Sequence, residues 1–304
     1  MKPINRFLLP ALALLLHLTM SSRAQETKKI TIVTSFLPIQ SHTAAIAGNQ
    51  AKVSQLLSQE TGPHDFQLKP ADVKKIADAD LFIINGVGIE GWLQELLKKA
   101  GSRKPPVIDA SKGLPLLGSP QDIQTGIHDP AAGENPHVWL DPVIAQRQVA
   151  NILRALQKAD PANAKTYARN ARAYTSQLKQ LDADYAVALK SLPNKNLVTF
   201  HDAFPYLARR YGLNYVGYIS EYPEKDPTPN QLAVLVGKIK AYKVGVLFAE
   251  ANYAPKLLQR VAAQSGAKVS QLDTLEVGEG NATAYLDRMR TNLAALRAAF
   301  APIP

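Results

Sequence analysis

Beyond its first two dozen residues the chain alternates between two hydrophobic rhythms. Short β-branched or apolar runs alternate with segments whose apolar residues recur every three or four positions. The runs "KITIVTS" (29–35), "AKVSQLL" (51–57), "DLFIING" (80–86) and "PPVIDAS" (105–111) predict strands. Between them lie a helix-like segment around 44–47 and the amphipathic stretches "KPADVKKIADA" and "IEGWLQELLKKAG", the latter closed by Gly101. "DLFIING" is apolar enough to be buried on both faces, which argues for a parallel sheet covered by helices.

The rhythm breaks over 113–135, a loop rich in glycine, proline and polar residues. "ENPHVWLDP" (134–142) follows, and its two flanking prolines predict an extended segment over 136–142. Asp141 and Pro142 then open a helix, as cap and first helical residue, that runs to 159. From 160 to 193 a single stripe of Tyr167, Ala171, Tyr174, Leu178, Leu181, Tyr185 and Leu189 predicts one helix. At 1.5 Å per residue some thirty residues span about 45 Å, the width of a protein this size. Alternation then resumes with strands at "NLVTF", "LNYVGYI", "VGVLFAE" and "KVSQLD", interleaved with helices, and a last helix covers 282–300.

The fold class expected is therefore α/β: two lobes, each a roughly four-stranded parallel sheet flanked by helices, joined by one long rigid helix. The expected division is a leader over 1–24, an N-terminal lobe over 25–160, a connecting helix over 161–192 and a C-terminal lobe over 193–304. The halves share this rhythm without a close sequence repeat.

Lys2 and Arg6 precede an apolar run from Phe7 to Met20, and "SRA" at 22–24 fits a small-x-small cleavage site, so the first 24 residues read as a secretory signal. No later stretch holds the eighteen or so apolar residues a membrane span needs. Cysteine is absent from the 304 residues, which excludes disulfides, thiolate metal sites, cysteine nucleophiles and a lipid-modified cysteine. A protein released into a periplasm is expected. The formal net charge is +10, but the leader carries three of the 35 basic residues and none of the 25 acidic ones. Most remaining cations, such as Lys158, Lys165, Arg169, Arg172 and Lys179, are interleaved with acids on helical faces, so nucleic acid is not an expected partner.

In an open parallel sheet ligands bind beyond the carboxyl ends of the strands. The polar residues placed there are His64 after the second strand, His201 directly after "NLVTF", and Asp273 at the end of "KVSQLD"; His137 sits in the rigid segment before a helix. Taken singly, each histidine reads as a packed or capped turn residue and Asp273 as a helix cap. Together they form a thiolate-free set of imidazole and carboxylate donors that suits Zn²⁺, and also Mn²⁺ or Fe²⁺. They are far apart in the chain, so only a fold that brings two lobes together could assemble them.

Over essentially the whole mature sequence the chain resembles the solute-binding proteins of ABC importers for zinc and manganese. The resemblance is carried by "PHDFQLKPADVKKIADADLFIINGVGIEGWL", "NPHVWLDP", "VTFHDAFPYLARRYGL", "LFAEANYAPKLLQRVAAQSGAKVSQLD" and "YLDRMRTNLAALRAAF". It implies a two-lobed fold with a connecting helix, metal ligation by His64, His137, His201 and Asp273, and delivery of the ion by a monomer to an inner-membrane permease. Histidine rather than glutamate at the third ligand position, His201, implies zinc as cargo, with manganese or ferrous iron as alternatives. The span where zinc-specific relatives often carry a loop rich in histidine and acids holds only His128, with Asp122, Asp129 and Glu134. Gln67 and Lys69 make the corner after the first ligand less acidic than is usual.

Asp65 and Asp202, each beside a ligand histidine, are expected either to orient an imidazole or to cap a helix. Glu250 resembles a position near the cleft, Trp139 reads as packing beside the site, and His42 as a helix-start or surface residue. A secreted zinc hydrolase is the competing class, since three histidines alone would leave an open coordination position. Neither an HExxH motif nor a Gly-x-Ser-x-Gly elbow is present, and the expectation is a binding protein, not an enzyme. A surface adhesin on the same fold is the third class, with no feature in its favour.

Overall fold

The computed structural model describes residues 28–64, 66–118, 133–220, 227–250 and 255–301. The leader, Asp65, Asp122, His128 and Asp129 therefore lie outside the described residues. In the first half four short strands, β1 (Thr31–Thr34), β2 (Lys52–Gln55), β3 (Leu81–Ile84) and β4 (Val107–Asp109), form a parallel sheet in the order β2-β1-β3-β4. All four residues of β3 are buried, as its unbroken apolar run requires of a strand covered on both faces. The connecting helices are α1 (Leu37–Ala47), α2 (Pro70–Ala77) and α3 (Leu93–Ala100).

The second half repeats the topology. Strands β5 (Asn196–His201), β6 (Asn214–Ser220), β7 (Val246–Ala249) and β8 (Lys268–Gln271) are parallel in the order β6-β5-β7-β8. In both sheets the strand order reverses between the first strand and the third, and the crevice beyond such a switch point is where an α/β sheet accepts a ligand.

Helix α4 (Pro142–Ala159) begins as expected, with the Asp141 side chain accepting from the Val143 and Ile144 amides and Pro142 in the first turn. The preceding segment departs from expectation. Residues Val138–Leu140 form a 3₁₀ turn instead of an extended segment, and the tight turn buries all three side chains. Helix α5 (Ala164–Lys190) runs for 27 residues, and its seven buried positions are the stripe from Tyr167 to Leu189. It packs on α4 and α1, and on the last helix, α9 (Ala284–Phe300). Among the described residues the other α-helices are α6 (Pro205–Tyr211), α7 (Pro229–Ala241) and α8 (Pro255–Ser265).

One apolar core runs from the first sheet through α5 to Phe248, Leu272 and Tyr285 of the second half, while a smaller one fills the space between the second sheet, α7 and α8. The long helix α5 joins the halves as expected, and α9 adds a second contact between them by reaching back onto α1. No helix among the described residues is long and apolar enough to cross a membrane.

Candidate metal centre

His201 is the last residue of β5 and Glu250 the residue directly after β7, so the switch point of the second sheet delivers both side chains to one crevice. The Glu250 carboxylate accepts from the His201 backbone amide at 3.1 Å and lies 2.7 Å from Nδ1 through each oxygen. With Nδ1–H donated to that carboxylate, Nε2 is left as a lone-pair donor facing the crevice. His201 is fully buried.

His137 reaches the same point from the opposite side. Its backbone amide and Nδ1 both lie 3.0 Å from the Asn135 side-chain oxygen, which fixes the ring and again leaves Nε2 free to coordinate. The Trp139 ring packs 5.2 Å from that of His137, and its indole N–H donates to the Thr274 carbonyl at 2.8 Å. His64 comes from the irregular loop after β2, where Trp92 donates to the Pro63 carbonyl at 3.2 Å. It is the least buried of the group, with 11% of its side chain exposed.

The fourth member is Glu276, which sequence reasoning missed. One of its carboxylate oxygens lies 3.3 Å from His64 Nε2, 3.0 Å from His137 Nε2 and 3.5 Å from His201 Nε2. The His137 and His201 Nε2 atoms are 3.2 Å apart, and one donor atom from each of the four residues lies within 4.8 Å of the rest. For a tetrahedral ion with bonds near 2.05 Å, ligand atoms would sit about 3.3 Å apart. The four separations from 3.0 to 3.5 Å, among three nitrogens and one oxygen, lie close to that spacing.

Asp273 does not join this cluster. Its Oδ2 pairs with Arg288 Nε at 2.5 Å, and its Oδ1 accepts from the Leu275 amide at 2.8 Å. Asn292 holds its backbone amide and carbonyl at 2.8 and 2.7 Å. The carboxylate is thus occupied in a turn that carries Leu275 at φ 63°, a left-handed conformation uncommon outside glycine. That reversal swings the chain so that Glu276, not Asp273, faces the histidines. The sequence did place a carboxylate after β8; the turn decides which one.

Glu276 is fully buried, and although burial opposes ionisation, the His201 and His64 imidazoles hold its carboxyl well below the usual range. Burial also opposes charge on His201, but Glu250 and Glu276 together raise it well above an ordinary histidine. Burial lowers His137 to about 4, against the pull of Glu276. The carboxylate and the imidazoles around it form a group of donor atoms that one divalent cation would satisfy.

Of the supporting residues expected, Asp202 acts one step removed from an imidazole: its side chain and carbonyl accept from the Asn135 amide at 2.7 and 2.9 Å. His42 departs from the helix-start or surface position expected of it. It lies within α1, fully buried, with Nδ1 3.0 Å from the Tyr174 hydroxyl and its ring 4.5 Å from that of Tyr285. It is neither a surface nor a cleft residue, because the helix it sits on is covered by α5 and α9.

Two parallel α/β halves closing on a buried, nitrogen-rich cation site define a metal-binding solute-binding protein. Residues 32–299 match the family described as ZnuA, zinc-uptake complex component A periplasmic, and the chain belongs to that family. It is 34% identical over 287 residues to the high-affinity zinc uptake system protein ZnuA of Bacillus subtilis, covering 92% of this chain and 90% of that protein. Among solved structures, a Zn(II)-bound variant of AdcAII from Streptococcus pneumoniae aligns with a TM-score of 0.82 and 30% identity, over 90% of this chain and 99% of the other. FpvC from Pseudomonas aeruginosa in complex with Mn²⁺ aligns with a TM-score of 0.79 and 32% identity, over 90% and 98%. These relatives are transport binding proteins, not enzymes.

Proposed function

We propose that the protein is a periplasmic zinc carrier, which captures one Zn²⁺ with His64, His137, His201 and Glu276 and hands it to an ABC permease. The observation that carries this reading is the convergence of three imidazole nitrogens and one carboxylate oxygen within 4.8 Å of one another, three of the four residues being buried and His64 nearly so. Three imidazoles and one carboxylate form a nitrogen-rich shell, which suits zinc better than manganese, whose preference is for more carboxylate oxygen. Two of the imidazoles have Nδ1 held by acceptors, so Nε2 is kept ready for metal.

The same geometry speaks against a hydrolase. Catalytic zinc keeps three protein ligands and an open position for water, whereas four converging protein donors close the shell. A closed site drawn from both halves suits a carrier, because relative movement of the halves separates the ligands and frees the ion. In this reading the leader over 1–24 directs export, residues 25–160 and 193–304 supply the two gripping halves, and 161–192 connects them.

Manganese is the second reading, favoured by the Mn²⁺ complex of FpvC. Elemental analysis of the protein purified from its native compartment without added metal tests both. Zinc near one ion per chain supports the proposal; manganese or iron in its place would reassign the cargo, and a metal-free protein that also fails to take up added zinc would end it.

A further inference from the structure

Between the two histidines with the best-fixed rings lies one amide, that of Asn135, with 1% of its surface exposed. Its oxygen accepts from the backbone amide and Nδ1 of His137, both at 3.0 Å. Its nitrogen donates to the carbonyl and the Oδ2 of Asp202, at 2.9 and 2.7 Å. An amide has two donor hydrogens and one acceptor oxygen, and here each faces a complementary partner. The orientation is fixed by chemistry, since turning the amide over would set its nitrogen against two donors and its oxygen against two acceptors. The main chain of Asn135 is held as firmly: its N–H donates to the Leu117 carbonyl at 3.0 Å, and its carbonyl accepts from the Tyr206 hydroxyl at 2.8 Å.

These bonds join parts of the protein that the sequence keeps far apart. Asn135 and His137 precede α4, on the first half; Asp202 follows His201 at the end of β5, on the second. Resting on the metal-carrier reading, we infer that Asn135 is a positioning residue that ties His137 to the half carrying His201, so that the two imidazoles meet the cation as one preset pair. With this tie intact, two of the four ligands are fixed relative to each other on folding rather than on binding, which removes part of the ordering cost of holding the ion. With it cut, the His137 ring loses its direct link to the residue beside His201, although Tyr206 and Thr274 still hold the surrounding chain, and the ion escapes faster.

Asn135→Asp separates the two halves of this role. Its carboxylate still accepts from His137, so the ring keeps its tautomer, but the second oxygen now faces the carbonyl and carboxylate of Asp202 where a donor stood. The experiment loads wild type, Asn135→Asp and the double variant Asn135→Asp/Asp202→Asn with Zn²⁺, then follows its transfer to an excess of a chromophoric chelator. The inference expects release about tenfold faster for Asn135→Asp. It expects partial recovery in the double variant, where the amide introduced at position 202 can donate to the carboxylate introduced at position 135. Wild-type release from Asn135→Asp, or a double variant as fast as the single one, would overturn it. Should Asn135→Asp not fold, Asp202→Ala removes the side-chain half of the tie from the other side, and unchanged release there overturns the inference equally. A wild-type protein that takes up no zinc in the same assay would instead count against the carrier reading itself.

Discussion

Exchanging Glu276 for glutamine and Asp273 for asparagine, in separate variants, puts the cation site to its sharpest test. Both carboxylates follow β8 within five residues, and only their surroundings distinguish them. Glu276 is fully buried, with one oxygen 3.0–3.5 Å from three imidazole nitrogens, and supplies the cluster's carboxylate donor. Loss of a residue that merely supports a metal ligand costs about 10–100-fold in affinity. Loss of an anionic donor should cost at least that, or roughly 1.4–2.8 kcal/mol of binding free energy. Asp273, by contrast, spends its charge on Arg288, in a pair whose side chains are 28% and 32% exposed. Such a partly solvated pair is worth about 0–1 kcal/mol. Asparagine at this position keeps the acceptor for the Leu275 amide and therefore the turn. Competition titrations against a zinc chelator should thus show Glu276→Gln weakened by one to two orders of magnitude and Asp273→Asn nearly unchanged. An Asp273→Asn protein that loses zinc as severely as Glu276→Gln would refute the assignment of the fourth donor.

A ligand that binds only the folded state adds about 4 kcal/mol at a thousandfold excess over its dissociation constant. Zinc should therefore raise the melting temperature of the wild type clearly, and that rise should vanish in His137→Ala; equal shifts in the two proteins would count against the site. His201→Glu exchanges a nitrogen donor for a second carboxylate and should lower zinc affinity while narrowing the gap to manganese, measured by parallel titrations; an unchanged preference would remove His201 from the shell. His42 supplies a pH dependence independent of the cluster, because burial depresses its pKa from 6.5 to about 3. The unfolded chain binds this proton below pH 6.5 and the folded protein does not, so stability falls as pH drops through that window, by about 2 kcal/mol at pH 5. Urea denaturation of metal-free protein at pH 7 and pH 5 should show His42→Gln losing less than wild type; identical losses would refute the buried neutral imidazole.

How much of this was legible without the fold differs from residue to residue. The stripe from Tyr167 to Leu189 declared α5 and its buried face, because a helix repeats its orientation every 3.6 residues whatever it packs against. The runs at β3 and β5, the cap at Asp141 and Pro142, and the alternation that gives two parallel sheets are equally local. His137 and His201 stood out less by their own surroundings, a rigid segment between prolines and a strand end, than as members of a donor set that resembles a family's ligands.

Asp273, Glu276, His42 and Glu250 were beyond such reading, each for a physical reason. Asp273 is neutralised by Arg288 from α9, and Leu275 takes a left-handed backbone only because Asp273 and Asn292 hold the turn around it. His42 becomes a core residue because α5 and α9 close over α1, a contact between segments more than a hundred residues apart. Glu250 acquires its role from the pairing of β5 beside β7, which sets its carboxylate against His201. Periodicity and side-chain chemistry alone account for the elements, their parallel arrangement and the kinds of donor atom available. The tertiary structure decided which carboxylate meets the three imidazoles, because partners in ion pairs, turns and hydrogen bonds are settled only when distant segments touch.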